Sequence, residues 1–213
     1  MPGGVLALAL ALSACTSDPA PAPSVPPSPP APAAPLLDRT ALAGGTTEVV
    51  ADPAFLDALD RLGLAPRTTG PAGSAGTTGT FSFPVTGGAL AVGAEREPSG
   101  QVRHDGSGLL LTSGTSTLAL DDLVLDLDGS VVTATVSVDG AVRAEDAPVL
   151  AVTAAGVEVP ATGRPSGPAV VAGLRLALTA QGAEVLNDVH APEGFAPGAP
   201  VGALTLTLEP QRP

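Results

Sequence analysis

The sequence predicts a mainly β fold: an antiparallel β-sandwich-like domain with one or two short helices, preceded by a signal peptide and a disordered linker. Three observations predict it. Apolar residues recur at a spacing of two in several runs, as in Leu174, Leu176 and Leu178 and again in Leu204, Leu206 and Leu208. Asp-Gly pairs at Asp128-Gly129 and Asp139-Gly140 punctuate those runs where hairpin turns belong. Strong helical spacing is confined to one short segment beginning at Asp52.

The chain divides into a lipoprotein signal peptide over 1–14, a Pro/Ala-rich disordered tether over 15–38 and a β-rich domain over 39–210. Val5 to Leu12 is an unbroken Leu/Ala/Val run, too short to span a bilayer that needs about 20 apolar residues, and it suits a secretory h-region. Leu12-Ser13-Ala14-Cys15 follows and resembles the bacterial lipobox, in which small residues let the peptidase reach the backbone and the cysteine is lipidated. No Arg or Lys precedes the h-region; a start codon further upstream would supply the missing positive charge. Cys15 is the only cysteine of the chain, so it has no intramolecular disulfide partner. A thioether to diacylglycerol gives it a role, and further acylation would supply the multiple chains that stable anchoring needs. The other reading, a thiol buried in an N-terminal strand, requires neighbours that the following segment does not offer. Thr16 to Leu37 is built almost wholly of Pro, Ala and Ser. Its prolines fix φ and remove amide donors, making a semi-rigid spacer of about 3 Å per residue that holds the domain off the membrane.

Composition excludes several classes of function. Acidic residues outnumber basic ones 21 to 9, for a formal net charge of -12, and there is no basic cluster to neutralise nucleic-acid phosphates or an anionic lipid surface. The lipid on Cys15 must therefore anchor the protein without help from a basic patch. Four Phe are the only aromatics, with no Trp and no Tyr. The core must be aliphatic, and stacking of sugars on Trp or Tyr is not available.

Within the domain, Thr46 to Val50 is a strand. Asp52 then caps a helix with Pro53 at its first position, Phe55, Leu59 and Leu62 on one face, and Gly63 closing it in the left-handed region. From Thr80 the period is two, with Phe81, Phe83 and Val85 on one side. Leu118 and Leu120 set one phase, whereas Leu123, Leu125 and Leu127 set the other; a β-bulge near Asp121-Asp122 repairs the change, because one extra residue flips every later side chain. Asp128-Gly129 is expected to make a type I′ hairpin turn. Val131 to Val138 follows, with Val132, Ala134, Val136 and Val138 inward, and Asp139-Gly140 turns the chain again. Val149 to Val159 and Val170 to Leu178 are further strands. A second helix, Thr179 to Leu186 with Thr179 as cap, leads through a Gly/Pro loop past Phe195 to the closing strand.

Chemistry-bearing residues are few. Asp122, Asp126 and Asp128 share a strand face and could gather a hard cation, but the run fails the EF-hand pattern at its fifth and sixth positions, which favours a solvent-facing edge with a turn aspartate. Two histidines, His104 and His190, are too few for a zinc site. The chain has no lysine for a phosphate loop, and its Gly-Ser-Gly-like segments have the wrong spacing for a nucleophile elbow. No catalytic residue is assigned, and no metal.

One stretch has a family likeness. Gly79-Thr80-Phe81-Ser82-Phe83-Pro84, then Gly100-Gln101-Val102-Arg103-His104-Asp105-Gly106-Ser107-Gly108-Leu109, then the acidic strand Leu118 to Asp128, resembles the HtaA-type domain of surface haem-uptake proteins over about Thr46 to Asp139. Ala183 to Asn187 resembles a further segment of similar secreted proteins. The resemblance implies haem bound through a tyrosinate with a histidine nearby, and His104 fits the histidine-glycine motif. This chain has no Tyr, so the iron-ligand position is empty, and the expected cofactor is none. The expectation is a non-catalytic binding or structural module, displayed extracytoplasmically on a membrane lipid, that keeps the fold without the iron ligand. Its loops around His104 and from His190 to Phe195 would meet an envelope component or a small ligand. The rivals are a haem or porphyrin carrier using His104 or His190, and a secreted hydrolase dependent on His104.

Overall fold

The computed structural model describes residues 35–75, 79–158, 168–190 and 194–211, with the side chains of residues 74–75, 155–158 and 190 excepted. The segment expected to be a signal peptide, Leu12, Ser13, Ala14 and Cys15 of the expected lipobox, and nearly all of the expected tether lie outside the described residues.

The architecture is mainly β and antiparallel, with two short helices, as the period-two patterning requires. In chain order the elements are β1 (Leu37–Ala51), α1 (Pro53–Arg61), β2 (Ala65–Thr69), β3 (Gly73–Ala75), β4 (Thr80–Pro84), β5 (Gly87–Val92), β6 (Pro98–Ser113), β7 (Ser116–Asp126), β8 (Val131–Val138), β9 (Ala141–Glu158), β10 (Ala169–Leu178), α2 (Ala180–His190) and β11 (Pro200–Pro210). From β5 to β10 each strand pairs with the next in sequence, and β10 pairs with β11. The first strand joins both ends of this meander, pairing with β5 through Thr40 and Ala41 and with β11 from Leu42 to Ala51. The path thus returns to its start through β1, while β2 pairs with β6 alone and β3 with β4 alone among the described residues. Gly45 sits where β1 leaves β5 for β4; its φ of 131° and the Thr207 carbonyl against it leave no room for a side chain.

The inward positions form one aliphatic core. Leu118 and Leu125 on β7, Val132, Ala134 and Val136 on β8, Leu174, Leu176 and Leu178 on β10, and Leu204, Leu206 and Leu208 on β11 are all buried. The phase change in β7 is met by a bulge: Asp122 has φ 53°, and the pairing with β8 shifts between Asp121 and Val124. Both helices start as the sequence predicts. The Asp52 carboxylate accepts from the Ala54 amide at 2.8 Å with Pro53 following, and the Thr179 hydroxyl accepts from the Gly182 amide at 2.8 Å. The second helix runs to His190, a turn further than its apolar pattern indicates.

The two Asp-Gly turns differ. Asp139 and Gly140 have φ of 50° and 79°, the type I′ arrangement. At Asp128-Gly129 the expected type I′ turn is not formed, and positive φ falls on Ser130 instead, at 56°. Asp126 accepts from the Gly129 amide at 3.0 Å, while Asp128 reaches across to accept from the Gly100 amide at 3.0 Å. These two bonds hold a four-residue turn over 127–130. Val159 lies outside the described residues, so β9 is followed only to Glu158.

Candidate functional site

His104 lies on β6 opposite Leu123, just ahead of a second irregularity, where the pairing with β7 shifts between His104 and Gly108. It alternates in phase with buried Val102, so the pleat turns it inward, where it is 2% exposed. A buried imidazole needs partners for both nitrogens. Nδ1 lies 3.0 Å from the Pro84 carbonyl at the end of β4, and Nε2 lies 3.1 Å from the hydroxyl of Thr47 on β1, itself buried. A carbonyl can only accept, so Nδ1 carries the proton and donates it, and the Thr47 hydroxyl donates to Nε2. Burial pushes the His104 pKa below its ordinary 6.5, opposed by the Pro84 carbonyl and by Asp105. The Phe83 ring packs beside the imidazole with centroids 6.2 Å apart. On the outer side, the Thr86 hydroxyl donates to the Arg103 carbonyl and accepts from the Asp105 amide, fastening the approach to β6.

His104 and Thr47 form part of the wall of a partly open chamber of about 90 Å³, whose free surface is entirely apolar. A second apolar chamber of about 60 Å³ lies beneath α2, bounded by Val185 and Leu186. Phe55, Leu109, Leu120, Val149, Leu150 and Val201 border both. Phe55 of α1 in turn meets Phe195, centroids 5.8 Å apart. The Asn187 amide fixes Phe195 by donating to its carbonyl and accepting from its amide, at 2.8 and 2.9 Å.

The hydroxyl–imidazole–carbonyl chain of Thr47, His104 and Pro84 has the order of a nucleophile, a base and its orienter. It faces a chamber with no polar free surface, so nothing is aimed at an oxyanion, and electrostatic stabilisation of charge is not available there. What the arrangement does is join β1, β4 and β6. Nor does the chamber beside His104 fit a haem. Ligand sites for molecules of drug size or larger run to about 300–1,000 Å³, the chamber is far smaller, and both imidazole nitrogens are engaged.

His190 ends α2, and its side chain lies outside the described residues. The acidic face is spent on backbone amides: Asp122 accepts from Gly106 at 2.8 Å, and Asp126 and Asp128 close the turn described above. No cluster of three metal-ligating side chains occurs among the described residues. Sequence reasoning missed Thr47 and Ser107. The signal for Thr47 was its inward phase with Val49. Ser107 is 0% exposed, and its hydroxyl has no hydrogen-bond partner among the described residues.

Fold and site together define a closed antiparallel β domain with an apolar interior and a doubly bonded histidine in its wall. Its fold is similar to that of a solved structure, the C-terminal domain of HtaA from Corynebacterium glutamicum, with a TM-score of 0.56 over 79% of this chain and 98% of that one, at 14% sequence identity. The likeness seen in the Gly79 to Asp128 motifs is thus one of fold. No family model and no curated protein matches the sequence.

Proposed function

We infer that the protein is an extracytoplasmic lipoprotein, anchored to the outer face of the cell membrane through Cys15, whose HtaA-like domain is a non-catalytic binding module. The observation that carries the binding role is the apolar chamber beside His104: its wall can hold a ligand but offers no free polar group to transform one. The HtaA-like fold supports a place at the cell surface, and the lipobox with its Pro/Ala tether supports display on a lipid. Nucleic acid is not a partner of so acidic a chain.

Labelling cells with a radioactive fatty acid tests the anchor. The expected result is a labelled protein in the membrane fraction and an unlabelled, released Cys15→Ala variant; a native N-terminus retaining Met1 to Ala14 by mass spectrometry overturns it. A haemin titration tests the haem reading. The expected result is no Soret shift, and a shift abolished by His104→Ala or His190→Ala would establish the porphyrin carrier instead. Turnover on an ester and peptide panel, lost on changing His104, would establish the hydrolase.

A further inference from the structure

Protein interiors are packed about as densely as organic crystals, and voids larger than a water molecule are few. This small core borders two adjoining apolar chambers, each partly open. Their location is specific: both are bordered by Phe55 from α1, the second also by α2, and the six shared residues come from β6, β7, β9, β11 and α1. Leu109, Leu120, Leu150 and Phe55 of this shared wall are only partly buried, although they pack on the core. The one polar pair in the wall, Thr47 and His104, is turned upon itself.

A chamber without polar partners does not hold water well, because a buried water needs two to four hydrogen bonds. Apolar cavities of about 150 Å³ stay dry and take up benzene-sized guests, and the two chambers, about 90 and about 60 Å³, are of that order when joined. A charged or hydrogen-bonding guest would lose its hydration for nothing in return.

We propose that the joined chambers are a binding site for an uncharged hydrocarbon group of about benzene's size, free or as the end of an acyl chain, with Phe55 as the shared wall that sets their size. The site rests on the reading of the domain as a binding module and names the class of its ligand. Porphyrins, sugars and anions fall outside that class.

Thermal unfolding of the full chain, followed by circular dichroism in buffer saturated with benzene, tests it. A ligand that binds only the folded state raises the midpoint. The expected result is a rise of a few degrees with benzene and none with benzoate at equal concentration. In Val149→Leu/Val201→Leu, which adds carbon to the shared wall, the rise shrinks or vanishes. In Leu109→Ala, which enlarges the space, it grows. If the filled variant does not fold, Leu109→Ala still decides. A short-chain phosphatidylcholine below its micelle concentration separates the two sources: a rise with benzene alone assigns a free hydrocarbon, and a rise with both assigns an acyl-chain end. No rise with benzene, an equal rise with benzoate, or the same rise in every variant overturns the proposal. A membrane-anchored protein without turnover that fails this test loses the ligand class alone, whereas unprocessed or catalytically active protein would undo the module reading itself.

Discussion

Three residues apart on β6, His104 and Ser107 are both buried polar side chains, yet they stand in opposite energetic positions. His104 has a partner on each ring nitrogen, one from β1 and one from the end of β4. Ser107, within the bulge, has none among the described residues. The bulge explains the difference. Before it, β6 is in register with β7 and its pleat aims His104 at Thr47; across it the pairing skips from His104 to Gly108, and the backbone between is held by other means, with the Gly106 amide on Asp122 and Gly106 at φ 73°. A bonded polar group in a core specifies which strands meet, whereas an unbonded one costs its desolvation and specifies nothing.

The largest effect expected from breaking this contrast is at His104. His104→Ala strands the Thr47 hydroxyl and the Pro84 carbonyl inside the core and should cost about 3 kcal/mol, read from the denaturant midpoint. The same residue makes stability pH-dependent. Because burial holds its pKa below 6.5, the folded state binds fewer protons than the unfolded state under mildly acidic conditions. Its contribution is therefore complete above 6.5 and is lost as the pH falls through the folded-state value. A His104→Gln variant should flatten that part of the profile, and an unchanged slope would assign the effect to other groups.

A smaller loss, about 1–2 kcal/mol, is expected for Thr47→Val, which keeps the shape of the side chain but leaves Nε2 without its donor. If Thr47→Val and His104→Ala were fully additive in the double variant, the two side chains would not be coupled and the bond between them would carry no energy. Smallest, and opposite in sign, is Ser107→Ala. Removing an unbonded buried hydroxyl should leave stability unchanged or raise it by up to about 1 kcal/mol; a loss of 1 kcal/mol or more would mean that Ser107 has a partner after all.

Much of the fold was legible in the chain because its signals are local. The Asp52 and Thr179 caps act on amides two and three residues away, the Asp139-Gly140 turn needs only its own two φ angles, and the phase reversal between Leu120 and Leu123 announces the bulge at Asp122. The same reasoning misjudged Asp128-Gly129, whose geometry depends on an amide 28 positions away. For the site, the phase shared by Val102 and His104 made an inward histidine readable, but not what it would meet.

Spacing and composition by themselves determined a β-rich domain with an aliphatic core, the placing of its two helices and an acidic chain with neither Trp nor Tyr, because pleat, caps and charge are properties of neighbouring residues. Tertiary structure alone decided that β1 joins β5 to β11, that Thr47 meets His104 across 57 positions, and that the core borders two apolar chambers. Those outcomes follow from how strands distant in sequence are brought into register and how completely their side chains fill the space between them, and no local pattern in the chain encodes either.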